Sequence, residues 1–143
     1  MAAGVRTEPY SRDILRLAST LPDAPPLDAP DASIELRSPT CGSVISLSLA
    51  TRDELVDMVR ADVSACAYGQ AATALMLEHA PGRSGADIER ALTSIEDWLK
   101  GSDALAPDWP GIEVLAPARE RPGRHGAVLL PFRALARAMQ ETK

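Results

Sequence analysis

The sequence predicts an α+β fold in which a three-stranded antiparallel meander carries helices packed on one face. Three observations favour this class: helical spacing over residues 10–21, three strand-like segments over residues 33–64, and helical spacing again after Cys66. A run of strands followed by a run of helices is typical of α+β folds. The chain has no internal repeat and no second set of elements, so we expect a single domain over residues 1–143.

The first helix is predicted over residues 10–21, where apolar side chains recur every three to four positions behind Ser11, a candidate N-cap. Pro22 is expected to end this helix because a proline cannot continue it. Four prolines over residues 21–30 then predict an extended linker between the helix and the sheet.

Three strands are predicted over residues 33–38, 43–50 and 55–64. In the second strand, apolar and serine side chains alternate, which places the apolar ones on one face: Ile45, Leu47 and Leu49 against Ser46 and Ser48. The polar residues 51–54 predict a turn between the second and third strands. The apolar phase changes inside the third strand, which predicts a β-bulge there.

Two helices are predicted after the strands. The first follows Cys66 and ends at the Pro81-Gly82 pair; the second opens at Ser84, with Asp87 three residues later as a capping box, and stops at Gly101.

The C-terminal part of the chain is predicted to be less regular. Residues 109–115 are expected to form one short helical turn, and the proline- and arginine-rich residues 117–126 a loop. A last helix is predicted from Val128 onward, with Pro131 in its first turn, where a missing N–H costs nothing.

The overall composition excludes several functional classes. The net charge is −5, and only 3% of residues are aromatic, so the basic footprint of a nucleic-acid-binding protein is missing. No apolar run is long enough to cross a bilayer, so no membrane partner is expected. The first residues lack the apolar core of a signal peptide, and we therefore expect a cytoplasmic protein.

The two cysteines are the residues best suited to carry chemistry, because a thiolate can act as a nucleophile or a metal ligand. Cys41 precedes the second strand and Cys66 follows the third, so a hairpin of these strands brings the two thiols towards the same end of the sheet. Gly42 leaves room beside Cys41 for a ligand, and a position at a helix N-terminus favours the thiolate of Cys66. The alternative is that both are small buried apolar residues, as free cysteines commonly are.

Three segments resemble the cysteine motifs of the IscU/NifU N-terminal family. Residues 38–43, Ser-Pro-Thr-Cys-Gly-Ser, resemble the first motif, in which Cys-Gly-Asp follows a short turn. Residues 64–71 resemble the second, in which Gly-Cys precedes small residues that open a helix. Residues 122–135 resemble the third, in which Arg-x-x-Cys precedes the last helix. The resemblance covers nearly the whole chain and implies the IscU/NifU N-terminal-like fold.

The resemblance implies an iron–sulfur cluster assembly scaffold or carrier, and not an enzyme. Its cargo would be an iron–sulfur cluster of the [2Fe–2S] type, iron, or zinc, held by Cys41 and Cys66. The family's aspartate is Ser43 in this chain, and the third cysteine falls on Ala127. His125 and Ser43 are candidate further ligands. Because such metals take four donors, the rest would come from an exogenous thiol, a partner chain or a homodimer.

The partners that the resemblance implies are a cysteine desulfurase and the proteins that receive iron–sulfur clusters. The basic residues 119–125 are either a docking edge for an acidic partner or a solvated loop. Two other functions remain open. One is a persulfide acceptor, with Cys66 or Cys41 taking sulfur from a desulfurase. The other is a metal-free interaction protein, suggested by the absence of the usual groups at Ser43 and Ala127.

Overall fold

The structure is a computed structural model that describes residues 11–39, 41–101 and 106–142. Its first helix, α1, spans Arg12–Ala18. The Ser11 hydroxyl accepts a hydrogen bond from the Ile14 backbone N–H at 3.1 Å, which confirms the predicted N-cap. The predicted first residue of the helix, Tyr10, lies outside the described residues. The helix ends at Ala18 rather than at the predicted Leu21, because turn-type hydrogen bonds replace the helical ones over residues 18–21.

The sheet has the predicted topology. Strands β1 (Ala32–Arg37), β2 (Val44–Arg52) and β3 (Leu55–Ser64) pair antiparallel in the order β1-β2-β3. The predicted four-residue turn is shorter than expected, because β2 continues to Arg52 and pairs with Leu55. Only Asp53 and Glu54 form the turn, with φ of 54° and 65°. A two-residue hairpin needs these left-handed conformations to match the twist of the strands.

The predicted bulge lies near the start of β3. Ala50 pairs with Met58 while the next residue, Thr51, pairs with Val56, so Asp57 has no partner of its own. The extra residue changes which side chains face the core: Val56 is buried, whereas Met58 is 45% exposed. The change of apolar phase in the sequence is thus the consequence of this bulge.

Within the described residues, three α-helices and one 3₁₀ helix follow the sheet: α2 (Ala67–His79), α3 (Gly85–Leu99), the 3₁₀ helix (Ile112–Glu120) and α4 (Pro122–Glu141). The central α4 packs against β1, β2, α2 and α3. The core lies between the helices and one sheet face, to which β2 contributes Ile45, Leu47 and Leu49. Helices therefore cover one face of a three-stranded meander, and the predicted α+β class is confirmed.

The predicted loop over residues 117–126 is wrong. The 3₁₀ helix extends to Glu120, and α4 begins at Pro122, six residues before the predicted start. Pro122 occupies the first turn of α4, where its missing N–H is not needed. Pro131, expected in the first turn, lies in the helix interior and is buried. Tertiary packing of α4 against its neighbouring helices and strands outweighs the local cost of this proline.

The proline-rich linker, residues 21–30, lies over the outer face of the sheet, opposite the helices. The Ser48 hydroxyl accepts a hydrogen bond from the Leu27 N–H, and Arg60 donates to the Pro25 carbonyl, both at 3.0 Å. At the end of the linker, the Asp31 N–H donates to the Leu49 carbonyl at 2.7 Å. The linker is therefore an ordered strap.

None of the helices in the described ranges is long and apolar enough to cross a membrane.

Candidate functional site

The structure brings Cys41 and Cys66 to one pocket at the end of the β2–β3 hairpin. The strand register sets this proximity, because Val44 at the start of β2 pairs with Ser64 at the end of β3. Each cysteine lies two or three residues beyond that pair. The pocket has a volume of about 300 Å³. Its described lining comprises the first two cysteine motifs and the start of α4: Cys41, Gly42, Ser43, Ser64, Ala65, Cys66, Gly123, Arg124 and Ala127.

A tight turn presents Cys41 to solvent. The Gly42 N–H donates to the Ser38 carbonyl at 3.1 Å, and the Ser38 N–H donates to the Ser43 carbonyl at 2.8 Å. Gly42 has φ of 75°, a left-handed conformation that a side chain would strain. Cys41 is exposed, while Ser43 beside it is only 5% exposed. The turn thus leaves Cys41 at the surface and buries Ser43 beside it.

The surroundings of Cys41 favour its thiolate. Partial burial raises the pKa of the thiol, but hydrogen bonds from the Ser38 and Ser43 side chains and from the Ser43 backbone lower it. The positive charge of Arg124 lowers it further. The net pKa lies below the ordinary value, with Cys41 Sγ 3.1 Å from Ser43 Oγ. A thiolate is the form that acts as nucleophile and metal ligand.

Cys66 is the N-cap residue of α2 and is half-buried. The residue before it, Ala65, packs closely against Gly69 in the first turn of α2. A Cβ atom on Gly69 would lie 2.6 Å from the Ala65 Cβ and 3.4 Å from the Ala127 Cβ. The first distance is too short for two carbon atoms and the second is an ordinary contact, so glycine is needed at position 69 because Ala65, the residue before Cys66, packs against the first turn of α2.

The third motif reaches the same pocket through α4. Arg124 and Ala127 are three residues apart on this helix and so share a face. Ala127, which stands at the position matched to the family's third cysteine, is 1% exposed and lines the pocket. The structure therefore places all three matched motifs around one space, with a methyl group where a third thiol would be.

The structure does not bring His125 into this pocket. Its Nε2 atom lies 2.9 Å from the Ala118 carbonyl and 3.3 Å from the Arg119 carbonyl, so the ring faces the end of the 3₁₀ helix. Over the described ranges, no three His, Cys, Asp or Glu side chains converge as a metal site. Of the predicted further ligands, only Ser43 lies beside the cysteines.

The basic segment 119–125 is divided between structural and site roles. The Arg119 Nε atom donates to the Trp98 carbonyl at 2.8 Å, and its guanidinium lies 5.3 Å from the centre of the Trp98 ring. Arg119 thus ties the 3₁₀ helix to α3, whereas Arg124 faces the cysteine pocket.

Sequence reasoning missed two polar residues that line the pocket, Ser64 and Arg124, and Ser38, which forms a hydrogen bond with Cys41. Ser64 could have been found from the strand register, and Arg124 from its spacing to Ala127 once the segment is known to be helical. Ser38 had no signal in the sequence, because its bond to Cys41 depends on the shape of the turn.

A larger cavity of about 740 Å³ lies between the strap and the outer sheet face. Its lining includes Pro22, Pro25, Ser46, Arg60 and Asp62. Neither cysteine lines this cavity, and neither do the candidate further ligands Ser43 and His125. The smaller pocket is therefore the candidate site.

The fold and the pocket together define an α+β protein with two thiols and an arginine at one end of its sheet. The structure resembles a nitrogen-fixing NifU-like protein (N-terminal) from Brucella abortus, with a TM-score of 0.85, 27% sequence identity and 92% of each chain covered. It also resembles a protein described as an iron–sulfur cluster assembly scaffold for the SUF system from Fervidobacterium islandicum AW-1. There the TM-score is 0.75 with 20% identity, over 91% of this chain and 96% of that one.

No protein-family model and no curated protein matches the sequence. The structural likeness, the order of elements and the meeting of the three motifs confirm the resemblance to the IscU/NifU N-terminal family. The chain thus resembles IscU/NifU N-terminal proteins in fold, with two cysteines in the pocket and an alanine at the third matched position.

Proposed function

We propose that this protein is a scaffold or carrier in iron–sulfur cluster assembly, and that it binds iron, an iron–sulfur cluster or zinc through Cys41 and Cys66. The observation that carries the proposal is the shared pocket, into which the fold directs both thiols and the matched third position, Ala127. Support also comes from the Fervidobacterium protein of the same fold, which is described as a cluster assembly scaffold.

The chemistry of the pocket suits the reversible holding of a thiolate-bound metal. The two sulfur atoms are soft ligands that iron–sulfur clusters and zinc prefer. Ser43 supplies a neutral hydroxyl beside Cys41 where the family pattern has a carboxylate. Arg124 places a positive charge at the pocket, where metal–thiolate groups carry excess negative charge.

Anaerobic reconstitution tests the proposal. The purified chain is incubated with ferrous iron and sulfide, or with zinc, and bound metal and sulfide are measured by elemental analysis and visible absorption. We expect metal uptake by the native chain and its loss in both Cys41→Ser and Cys66→Ser. Thr93→Ala, an exposed change on α3 outside the pocket, is the control that should bind as the native chain does. A native chain that takes up neither iron nor zinc would leave the metal-free interaction protein as the better explanation.

A second candidate function, a persulfide acceptor, is favoured by the state of Cys41. This thiol is exposed, its pKa is lowered, and Arg124 lies close enough to act on it. Incubation with a cysteine desulfurase and cysteine should then add sulfur to Cys41, as seen by mass spectrometry. Cys66→Ser should keep the adduct and Cys41→Ser should lose it; an unmodified native chain would exclude this function.

A further inference from the structure

The cysteine pocket offers fewer donors than its cargo requires. Zinc and a [2Fe–2S] cluster each take four protein-type ligands, whereas the described lining contains two thiols. The remaining polar groups, Ser43 and Ser64, offer neutral hydroxyls, which are weaker ligands than thiolates. If the proposed function holds, other donors must enter from outside the chain.

The pocket has room for small molecules beside the two cysteines. Four lining residues carry no functional group and little volume: Gly42, Ala65, Gly123 and Ala127. Its volume of about 300 Å³ is at the lower end of the range of roughly 300–1,000 Å³ that is typical of small-molecule sites. Small side chains thus leave space where ligating groups would otherwise stand.

The charge of the pocket points to the kind of small molecule. Arg124 is the one permanently charged side chain in the described lining, and no carboxylate lines the pocket with it. A guanidinium binds a carboxylate through paired hydrogen bonds, more strongly than it binds neutral groups. A thiol that also carries a carboxylate would therefore bind the metal through its sulfur and Arg124 through its carboxylate.

A second copy of the chain fits this pocket less well. Stable interfaces between copies bury an apolar core, and the exposed large apolar residues in the described ranges are Leu15, Leu55 and Met58. None of them lines the pocket. Leu55 and Met58 lie at the turn end of the β2–β3 hairpin, opposite the cysteine end. The rim of the pocket offers a site for a small ligand rather than a surface for a dimer.

We propose that the pocket binds low-molecular-weight thiols bearing a carboxylate, which complete the coordination of the metal while Arg124 binds their carboxylate. The proposal rests on the proposed function of the same site. In the complex, two protein sulfurs and two external sulfurs each form one bond to the metal. Each of the four thiols loses its proton to solvent, and no electron is transferred.

Zinc binding with matched thiols tests this inference. The reduced, thiol-free chain is mixed with zinc alone, with 3-mercaptopropionate, or with 3-mercapto-1-propanol, which has a hydroxyl in place of the carboxylate. Native mass spectrometry counts chains, zinc and thiols in each complex. We expect one chain, one zinc and two external thiolates, with zinc affinity about fivefold higher for the carboxylate thiol, the size of a favourable surface ion pair.

Three variants separate the contributions of the pocket. Arg124→Gln should abolish the preference for the carboxylate thiol and still bind zinc with either thiol. Arg137→Gln, an exposed change on the same helix, is the matched control and should keep the preference. Ala127→Cys should bind zinc with one external thiolate instead of two, because it restores one protein sulfur.

Several results would overturn the inference. Two chains sharing one zinc without added thiol would show that a homodimer supplies the donors. An equal preference in the native chain and Arg124→Gln would remove Arg124 from the recognition. Zinc bound by one chain with no external thiolate would contradict only this inference, whereas no zinc or iron under any condition would contradict the proposed function itself.

Discussion

At the scale of single residues, small side chains decide what the candidate site can do. Gly69 lets Ala65 pack against the first turn of α2, and Ala127 leaves space for a ligand where the family pattern has a thiol. A side chain on Gly69 would lie 2.6 Å from the Ala65 Cβ, closer than non-bonded carbon atoms approach. The shape of the pocket therefore depends on the small size of these side chains, and its chemistry on the two sulfur atoms.

The reactivity of Cys41 should depend on Ser43. The Ser43 hydroxyl and the other causes that lower the Cys41 pKa stabilise the thiolate, which is the form that reacts. In a Cys66→Ser background, alkylation of Cys41 by iodoacetamide should reach half its maximal rate at a pH below that of an ordinary cysteine. Ser43→Ala should move this midpoint to higher pH and slow alkylation at neutral pH.

The control for this prediction is Ser64→Ala. Ser64 lines the same pocket but is not among the groups that lower the Cys41 pKa, so its loss should leave the pH profile unchanged. If Ser43→Ala had the same profile as the parent, the hydroxyl would have no influence on the thiol.

At the scale of elements, the sequence predicted what local patterns specify and failed where packing decides. The alternation in β2, the cap at Ser11 and the bulge at Asp57 are local signals, and all are found in the structure. The start of α4 was predicted six residues too late, because Pro122 and the glycines after it resemble a loop. Its helical state follows from burial against β1, β2, α2 and α3, which no single segment reveals.

The error in α4 also explains why part of the site was not predicted. A loop over residues 117–126 gives no reason for Arg124 to face the same way as Ala127. In the helix, the spacing of three residues places both on one face. By contrast, the meeting of Cys41 and Cys66 follows from a hairpin whose pairing the alternation already indicates. The cysteines were predictable from the sequence and the arginine was not.

The capping box of α3 should contribute measurably to stability. The Ser84 hydroxyl accepts from the Asp87 N–H, and the Asp87 carboxylate accepts from the Ser84 N–H, both at 3.1 Å. Ser84→Ala should lower the free energy of unfolding by about 1 kcal/mol at neutral pH, as measured by urea denaturation. Ser94→Ala, in the middle of the same helix, should have a smaller effect.

The effect of Ser84→Ala should also depend on pH. Hydrogen bonds from the backbone and side chain of Ser84 hold the pKa of Asp87 below its ordinary value of 3.8. A depressed carboxyl pKa contributes stability above the unfolded pKa, and this contribution is lost as pH falls through the folded one. The difference between the native chain and Ser84→Ala should therefore shrink in acid. A difference that stays constant or grows between neutral pH and pH 3 would contradict this coupling.

At the scale of the whole molecule, the two faces of the sheet have different coverings. Helices bury one face and form the core, while the strap of residues 21–30 lies across the other. The strap is held by a few hydrogen bonds rather than by a packed core. The cysteine pocket shares no lining residue with the cavity beneath the strap. Loosening the strap should thus leave the pocket intact.

Ser48→Ala tests this separation. Ser48 is 4% exposed, and its hydroxyl accepts the Leu27 N–H at 3.0 Å. Removing the hydroxyl should cost about 1 kcal/mol of stability, because the Leu27 N–H then loses its acceptor. Hydrogen exchange should become faster over residues 21–30 and stay unchanged in α2 and α4, since partial opening of the strap breaks no core contact.

The matched control is Ser46→Ala, an exposed serine on the same face of β2, which should leave exchange in the strap as it is in the native chain. Zinc uptake by the cysteine pocket should be equal in the native chain and in both serine variants. The reason is that the β2–β3 pairing which positions Cys41 and Cys66 does not depend on the strap. Faster exchange throughout the core, or a loss of zinc uptake in Ser48→Ala, would show instead that the strap and the pocket form one cooperative unit.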